Sequence, residues 1–413
     1  MASGFSTFTA TLALGVVALA GCSPDAASHG PTAPAGTALT VASVPARLVT
    51  LEWQEQARNL VAANRMSPLA GGRVYAALSV AQHRAIEALD AAPAVASAGM
   101  GASAGGQRQM EAERGAVAGA SARVLSFVFP SVATSLEQRL ADQGDASAGA
   151  VHPHFARGVE TGRAIGDAMV ARLQADRFTT PWVGPAPTGA GVFTPVTLPP
   201  AGGTLGGVTP YYMMSGSQFR PAAPPAWGST DFDEALAEVV ALTQNRTPEQ
   251  LTMARGWDLP AGTPTPVGYW NTVAAGLVAE RGLDERAATE VFAVTQAAIM
   301  DALISCWDAK YWYWTIRPSQ ASGAVQLGLG LPNHPSYPSN HACLSGAQAE
   351  VLATLFSGDA NALRAQVEEA MISRVYAGVH YRFDSDSGIV IARRVAALAA
   401  QQDAATGGRL PLR

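Results

Sequence analysis

Apolar residues recur at intervals of three and four through most of this chain, in segments rich in alanine, and no segment alternates well enough to build a sheet. That period restricts the fold to an all-α bundle in which the helices share one interior. Helical spacing runs over residues 48–63, 74–89, 110–128, 134–143, 155–176, 231–242, 247–254, 268–281, 284–311, 342–355 and 361–376. A Pro-containing, Ala/Gly-rich stretch at 91–106 interrupts it. So does 179–230, which is dense in Pro and Gly and carries aromatics, as in Pro181-Trp182 and Pro210-Tyr211-Tyr212. A loop this long inside a compact domain is either functional or disordered, and its aromatics argue for an ordered one packed across the helices.

Hydrophobic residues make up 48% of the chain and charged residues 14%, the reverse of a disordered composition. With no internal repeat and no composition break, residues 46–413 read as one helical domain. The net charge of -5 excludes a protein built mainly to grip nucleic acid. It also makes any local cluster of cations informative, because the background does not supply one.

The first residues read differently. Leu12 opens an apolar run that reaches Ala20, too short to span a bilayer, and it ends in Leu19-Ala20-Gly21-Cys22. Small residues before a cysteine mark a lipoprotein signal over residues 1–22, with Cys22 as the acylated new N-terminus. An ordinary cleaved secretory signal is the alternative, and the stretch before Leu12 lacks the usual Lys or Arg. Residues 23–45, rich in Pro, Ala, Ser, Gly and Thr, form a flexible tether. The expected location is outside the cytoplasmic membrane, with the body soluble and held to the envelope only by lipid.

Chemistry concentrates in three segments. In the first, Lys310 and Arg317 are seven positions apart, so on a continuous helix both face one side, and Pro318 then stops the helix. Snorkelling surface cations are the ordinary alternative, weakened by Lys310 being the sole lysine in the chain. The second, Pro338-Ser339-Asn340-His341, precedes a helix-forming run, and a hydroxyl, backbone amides and an imidazole at a helix start form an anion-binding corner. A plain N-cap serine and a structural histidine are the ordinary alternatives there. The third joins Ser373-Arg374 to Gly378, His380 and Asp384. Gly378 ends a helix, so Arg374 and His380 converge from a bend. Asp384, four residues after His380, can accept a hydrogen bond from one ring nitrogen and leave the other free. Together these groups suit a tetrahedral oxyanion: arginines clamp oxygens, lysine adds a point charge, one histidine attacks or ligates, and the other is the acid/base.

The spacing Lys-x6-Arg-Pro, then Pro-Ser-x-His, then Ser-Arg-x5-His-x3-Asp resembles the superfamily of type 2 phosphatidic acid phosphatases and vanadium-dependent haloperoxidases. The likeness to the soluble bacterial haloperoxidases extends to Gln218-Phe219-Arg220-Pro221, residues 247–250, Trp257, Trp270-Asn271 and His334-Pro335-Ser336-Tyr337. The resemblance implies an all-α bundle of the haloperoxidase and acid phosphatase type. It implies that Lys310, Arg317, Ser339, Asn340 (through its backbone amide) and Arg374 hold vanadate, with phosphate as the isosteric occupant. His380 becomes the vanadium ligand or phosphorylated nucleophile, oriented by Asp384, and His341 the acid/base. Asn340 departs from the family, which usually carries Gly there: it serves next best if a positive dihedral is required, and crowds the anion or donates to it if Gly is there for close approach. Two positions that bear on halide choice are Trp307, as in chloride- or iodide-using enzymes, and His334, as in bromide-using ones, so no halide is assigned.

The expected activity is oxidation of halide by hydrogen peroxide, with vanadate as a Lewis acid. Phosphomonoester hydrolysis through a phosphohistidine on the same residues is the second reading, and a non-catalytic oxyanion-binding lipoprotein, supported only by Asn340, the third. A zinc site at His334, His341 and His380 is disfavoured by the surrounding cations. Cys306 lies one turn before Lys310 and Cys343 two residues after His341, so the pair would meet at the site, either bridged as exported thiols tend to be or as separate buried thiols.

Overall fold

The computed structural model describes residues 48–91, 102–145 and 152–406. The signal, Cys22 and the tether lie outside the described residues. The helices are α1 (Val49–Ala63), α2 (Pro68–Ala91), α3 (Ala102–Val128), α4 (Ala133–Asp145), α5 (Pro153–Ala175), α6 (Thr230–Gln244), α7 (Pro248–Gly256), α8 (Thr265–Glu280), α9 (Glu285–Tyr313), α10 (Pro318–Ala321), α11 (Asn340–Leu355), α12 (Ala360–Tyr376) and α13 (Arg382–Thr406). The fold is all-α: no strand occurs among the described residues, and extended backbone pairs only in isolated bridges such as Val192 with Thr315.

Local sequence sets many of the helix starts. Thr247 and Gln250 form a reciprocal capping box at α7. Asp284 caps α9 by accepting from Ala287 N at 2.9 Å. Glu285, next in the chain, works at a distance: its buried carboxylate accepts from Thr50 N at 3.0 Å and Thr50 Oγ1 at 2.7 Å, and so serves the open amides of α1.

α9 is the axis of the bundle and packs against α2, α8, α11 and α13. It is long and apolar enough to cross a membrane, but 89% of its apolar window is buried inside the protein, which is how a core helix of a globular domain reads. Among the described residues no other helix meets that test. α3 and α5 approach more closely than side chains would allow. A Cβ on Gly158 would lie 2.1 Å from the Ala112 carbonyl oxygen, and one on Gly162 would lie 2.1 Å from that of Ala116.

Between α5 and α6 the chain runs without long helices and lies against α9. Asp301, fully buried in α9, accepts from the backbone amides of Tyr211 and Tyr212 at 2.7 Å and of Met213 at 2.9 Å. Arg220 grips Asp308 through two bonds of 2.6 and 3.0 Å. Leucine at Asp301 would leave buried amides without acceptors, so we expect Asp301→Leu to lose about 3 kcal/mol or more and to expose this loop. Equilibrium denaturation with limited proteolysis checks it; wild-type stability and cleavage would contradict this role of Asp301.

Several helices depart from their sequence-based bounds, α2 for instance starting at Pro68 rather than 74. α3 begins at Ala102 rather than 110, although 102–109 carries two glycines and no large apolar residue to mark a period. α13 was not expected from periodicity: it opens on the polar run Arg382-Phe383-Asp384-Ser385-Asp386, yet packs along α11.

Candidate oxyanion-binding site

Three chain reversals bring the predicted residues together: the end of α9, the turn into α11 and the turn from α12 into α13. Lys310 sits fully buried in the last turn of α9, and its Nζ donates to Pro335 O at 3.0 Å, to Ser336 O at 2.9 Å and to Pro338 O. The ammonium thereby fixes the backbone of the segment that leads into α11.

Arg317 does not share a helical face with Lys310, contrary to the sequence expectation. α9 ends at Tyr313, Trp314 adopts a left-handed φ of 50°, and Arg317 is extended at φ -77°, ψ 151° as the N-cap of α10. A tertiary pairing holds this excursion, with Phe193 N donating to Trp314 O at 2.7 Å and Ile316 N to Gly191 O at 2.9 Å. The turn still delivers the guanidinium to the site. Its Nε donates to His334 O at 3.0 Å and Nη1 to Val379 O at 2.5 Å, while Nη1 lies 3.3 Å from His380 Nε2.

His380 follows Gly378, whose φ of 73° closes α12 and turns the chain back. His380 Nδ1 is 2.7 Å from Asp384 Oδ2. Asp384 lies in the first turn of α13, fully buried, and also accepts from Ser336 Oγ at 2.6 Å and Tyr381 N at 3.1 Å. A proton on Nδ1 satisfies the carboxylate and leaves the Nε2 lone pair facing Arg317.

Ser339 occupies the N-cap position of α11 but caps no amide, and its buried Oγ has no partner. A buried hydroxyl left open costs free energy unless something else pairs with it. Asn340, the first residue of α11, has helical backbone and no positive φ, so the glycine usual here is not required by dihedral geometry. Its buried Oδ1 is also unpartnered. His341 Nε2 pairs with Trp257 O at 2.7 Å, which leaves Nδ1 as the nitrogen available for proton transfer. Arg374, 2% exposed, donates to Ala254 O and, through Nε, to Ser373 Oγ at 3.0 Å; its Nη1 lies 3.8 Å from Asp258 Oδ1.

The electrostatics follow from burial. Desolvation lowers Lys310 to about 8 and Arg317 and Arg374 to about 10, the cost of confining like charges in a dry site. It raises Asp384 to about 6 against the pull of Ser336, Lys310 and Arg317. His380 and His341 are held well below the ordinary imidazole value, first by burial and then by the nearby cations, so both are neutral at pH 7. The centre has an excess of positive charge, neutral imidazoles and a buried hydroxyl without a partner. That donor set fits a tetrahedral oxyanion. Among the described residues no group of His, Cys, Asp and Glu is disposed to hold a metal cation, and the zinc alternative has no geometry behind it.

Trp307 and His334 are adjacent, their rings 5.2 Å apart, with Lys310 Nζ 5.6 Å from the Trp307 ring. The cysteines also meet, but as free buried thiols: Cys306 Sγ points at Pro338 O, 3.8 Å away, and lies in hydrogen-bond contact with Cys343. They fill the packed crossing of α9 and α11 as small apolar groups, and of the two alternatives the structure has the separate buried thiols. Sequence reasoning missed three contributors. Ser336 lies in the motif His334-Pro335-Ser336-Tyr337 and could have been flagged as a second donor to Asp384. Asp258 and the Ala254 carbonyl, which hold Arg374, come from the end of α7 and carry no local signal.

Such a centre in a helical bundle defines a class of protein, and the comparisons narrow it. Residues 291–406 match the family model of the PAP2 superfamily, the superfamily that the three motifs resemble. The whole fold is similar to a solved bacterial vanadium-dependent iodoperoxidase, with a TM-score of 0.70 and 20% identity over 87% of this chain and 98% of that one. It is also similar to a bacterial vanadium-dependent chloroperoxidase in its apo form, TM-score 0.61, 14% identity, over 81% and 92% of the two chains. The holo form of a bacterial vanadium-dependent chloroperoxidase gives 0.60 and 15% over the same shares. No curated protein matches the chain.

Lys310 provides a pH test. It is charged below about 8 and neutral above, so oxyanion affinity should fall as pH rises through that value. Lys310→Met should bind phosphate more weakly and lack this step, while the ion's own titration is common to both proteins. Calorimetry on either side of that pH would refute the assignment if both proteins showed the same pH dependence.

Proposed function

We propose that the protein is a vanadate-dependent haloperoxidase, which uses hydrogen peroxide to oxidise halide to a hypohalous acid equivalent. The observation that carries the reading is a buried cluster of cations around His380, whose Nε2 lies 3.3 Å from Arg317 Nη1 and whose Nδ1 is held by Asp384. Lys310, Arg317 and Ser339 are fully buried and His380 is 3% exposed, so small reactants such as peroxide and halide suit the centre better than bulky esters. The structural likeness to bacterial iodo- and chloroperoxidases supports the same reading. The Cys22 signal further leads us to place the protein outside the cytoplasm on a lipid anchor.

In this reading His380 Nε2 would be the atom that ligates vanadate. Arg317, Arg374, Ser339 Oγ and the Asn340 backbone amide would hold its oxygens, and Lys310, whose three ammonium protons go to Pro335 O, Ser336 O and Pro338 O, would contribute its charge. Bound vanadate supplies a Lewis acid that activates peroxide toward halide with no change in its own oxidation state. Asp384 keeps the proton on Nδ1. His341, neutral and tied through Nε2 to Trp257 O, takes and returns protons at Nδ1. Trp307 and His334 form the wall at which halide would enter.

Phosphate fits the same donors, and the PAP2 match keeps phosphomonoester hydrolysis as the second reading, with His380 Nε2 as nucleophile. Competition separates a shared site from separate ones. Phosphate should inhibit halide oxidation competitively with vanadate and not with halide. Inhibition that excess vanadate does not relieve would sink the shared oxyanion site.

A further inference from the structure

Beside the oxyanion centre lies a pocket of about 440 Å³, open on one side, that shares only Trp307 with the site as described. Trp307, Tyr311 and Trp312 from the end of α9 form one wall and a glycine-bearing turn at 203–207 forms another. Gly207 has nothing within 4 Å of where a Cβ would stand, so the floor of the pocket is free. The volume falls in the range of small-molecule sites.

Two features indicate what it takes. Trp312 is 64% exposed, a large apolar surface left in water, and the Arg220 guanidinium braces it from 3.9 Å above the ring. Arg220 is neutralised by Asp308 at 2.6 Å, whereas no ion pair engages the exposed Arg177 on the rim among the described residues. A flat aromatic platform beside an uncompensated guanidinium is complementary to a planar ring bearing an anionic group. The pocket also touches the chemistry: Trp307 lines it, and the Trp307 ring meets His334 at 5.2 Å and the Lys310 ammonium at 5.6 Å. One indole separates the pocket from the centre.

We propose that this pocket binds a planar aromatic anion, such as a phenolic carboxylate, and presents it as the organic acceptor of the oxidised halogen. The acceptor role rests on the haloperoxidase reading; the binding does not. Hypohalous acid leaving the centre reaches the bound ring, whose electron pair forms the carbon–halogen bond as the halogen–oxygen bond breaks. The displaced ring proton joins the departing hydroxide as water.

The test measures binding of para-hydroxybenzoate and of the uncharged para-hydroxybenzyl alcohol to the purified protein by calorimetry and ligand-observed NMR. Arg177→Glu and Trp312→Ala alter exposed side chains that hold no part of the oxyanion site. The carboxylate should bind wild type and lose roughly tenfold or more in each variant, about the size of one exposed charge or stacking contact reversed. The alcohol should lose only in Trp312→Ala, and halide oxidation without organic acceptor should be unchanged in both. No binding to wild type, or equal binding by all three proteins, overturns the proposal. Binding with the expected pattern but no halide oxidation by any protein overturns the acceptor role and the haloperoxidase reading while the binding site stands.

Discussion

We expect His380→Ala, supplied with orthovanadate, peroxide and halide, to oxidise no halide and to bind no vanadate, while folding as the wild type does. The His380 imidazole is the group whose Nδ1 is held by Asp384 and whose Nε2 faces the guanidinium of Arg317, so alanine removes the ligand itself. The surroundings survive the loss. Asp384 keeps Ser336 Oγ at 2.6 Å and Tyr381 N at 3.1 Å, and Arg317 keeps the carbonyls of Val379 and His334. Asp384→Asn should act more mildly. Its amide can donate to Nδ1 and favour the wrong tautomer, weakening oxyanion affinity by about 10- to 100-fold. Circular dichroism, vanadium NMR and halide turnover distinguish these cases. Turnover retained by folded His380→Ala would mean that the anion is centred elsewhere.

The second large effect is expected far from the chemistry. Gly162→Leu should cost more stability than the ~1–3 kcal/mol of ordinary overpacking. A Cβ there already lies 2.1 Å from the Ala116 carbonyl oxygen, which is backbone and cannot swing away, so α3 and α5 must separate. Gly276→Ala in α8 is the control: nothing lies within 4 Å of that Cβ, and an alanine in a helix interior should be neutral or stabilise by about 0.5–1 kcal/mol. Thermal unfolding of the two variants checks the pair. Equal midpoints would show that the glycine contact is not tight.

The helices and the chemistry of the site were legible in the sequence for different reasons. Alanine-rich periods at three and four residues mark most helices because burial selects one face, as along α1, where Val49, Trp53, Ala57 and Leu60 are buried. The site residues stood out because the sole lysine, Arg317, Arg374 and three of the seven histidines of an acidic chain fall in or beside three short segments. What could not be read was geometry set across the fold. Lys310 and Arg317 converge through a left-handed Trp314 held by Gly191 and Phe193, more than a hundred residues earlier in the chain. Arg374 is steadied by Asp258 and by the Ala254 carbonyl, neither of which has a local pattern. The helical backbone of Asn340 resolves one open reading: glycine is not needed for its dihedral, and the side chain is buried with an unpaired oxygen. α13 escaped notice because its first turn is polar, and that polarity includes Asp384, which serves the site rather than the core.

We propose that this centre oxidises halide and depends on vanadate to do so. The most direct test is the rate of iodide, bromide and chloride oxidation by purified protein with peroxide, with and without orthovanadate, beside a phosphomonoester dye without peroxide. The account predicts halide oxidation that rises with orthovanadate occupancy and stops in its absence. Dye hydrolysis that orthovanadate inhibits, with no halide oxidised, would contradict it and make the protein a phosphatase.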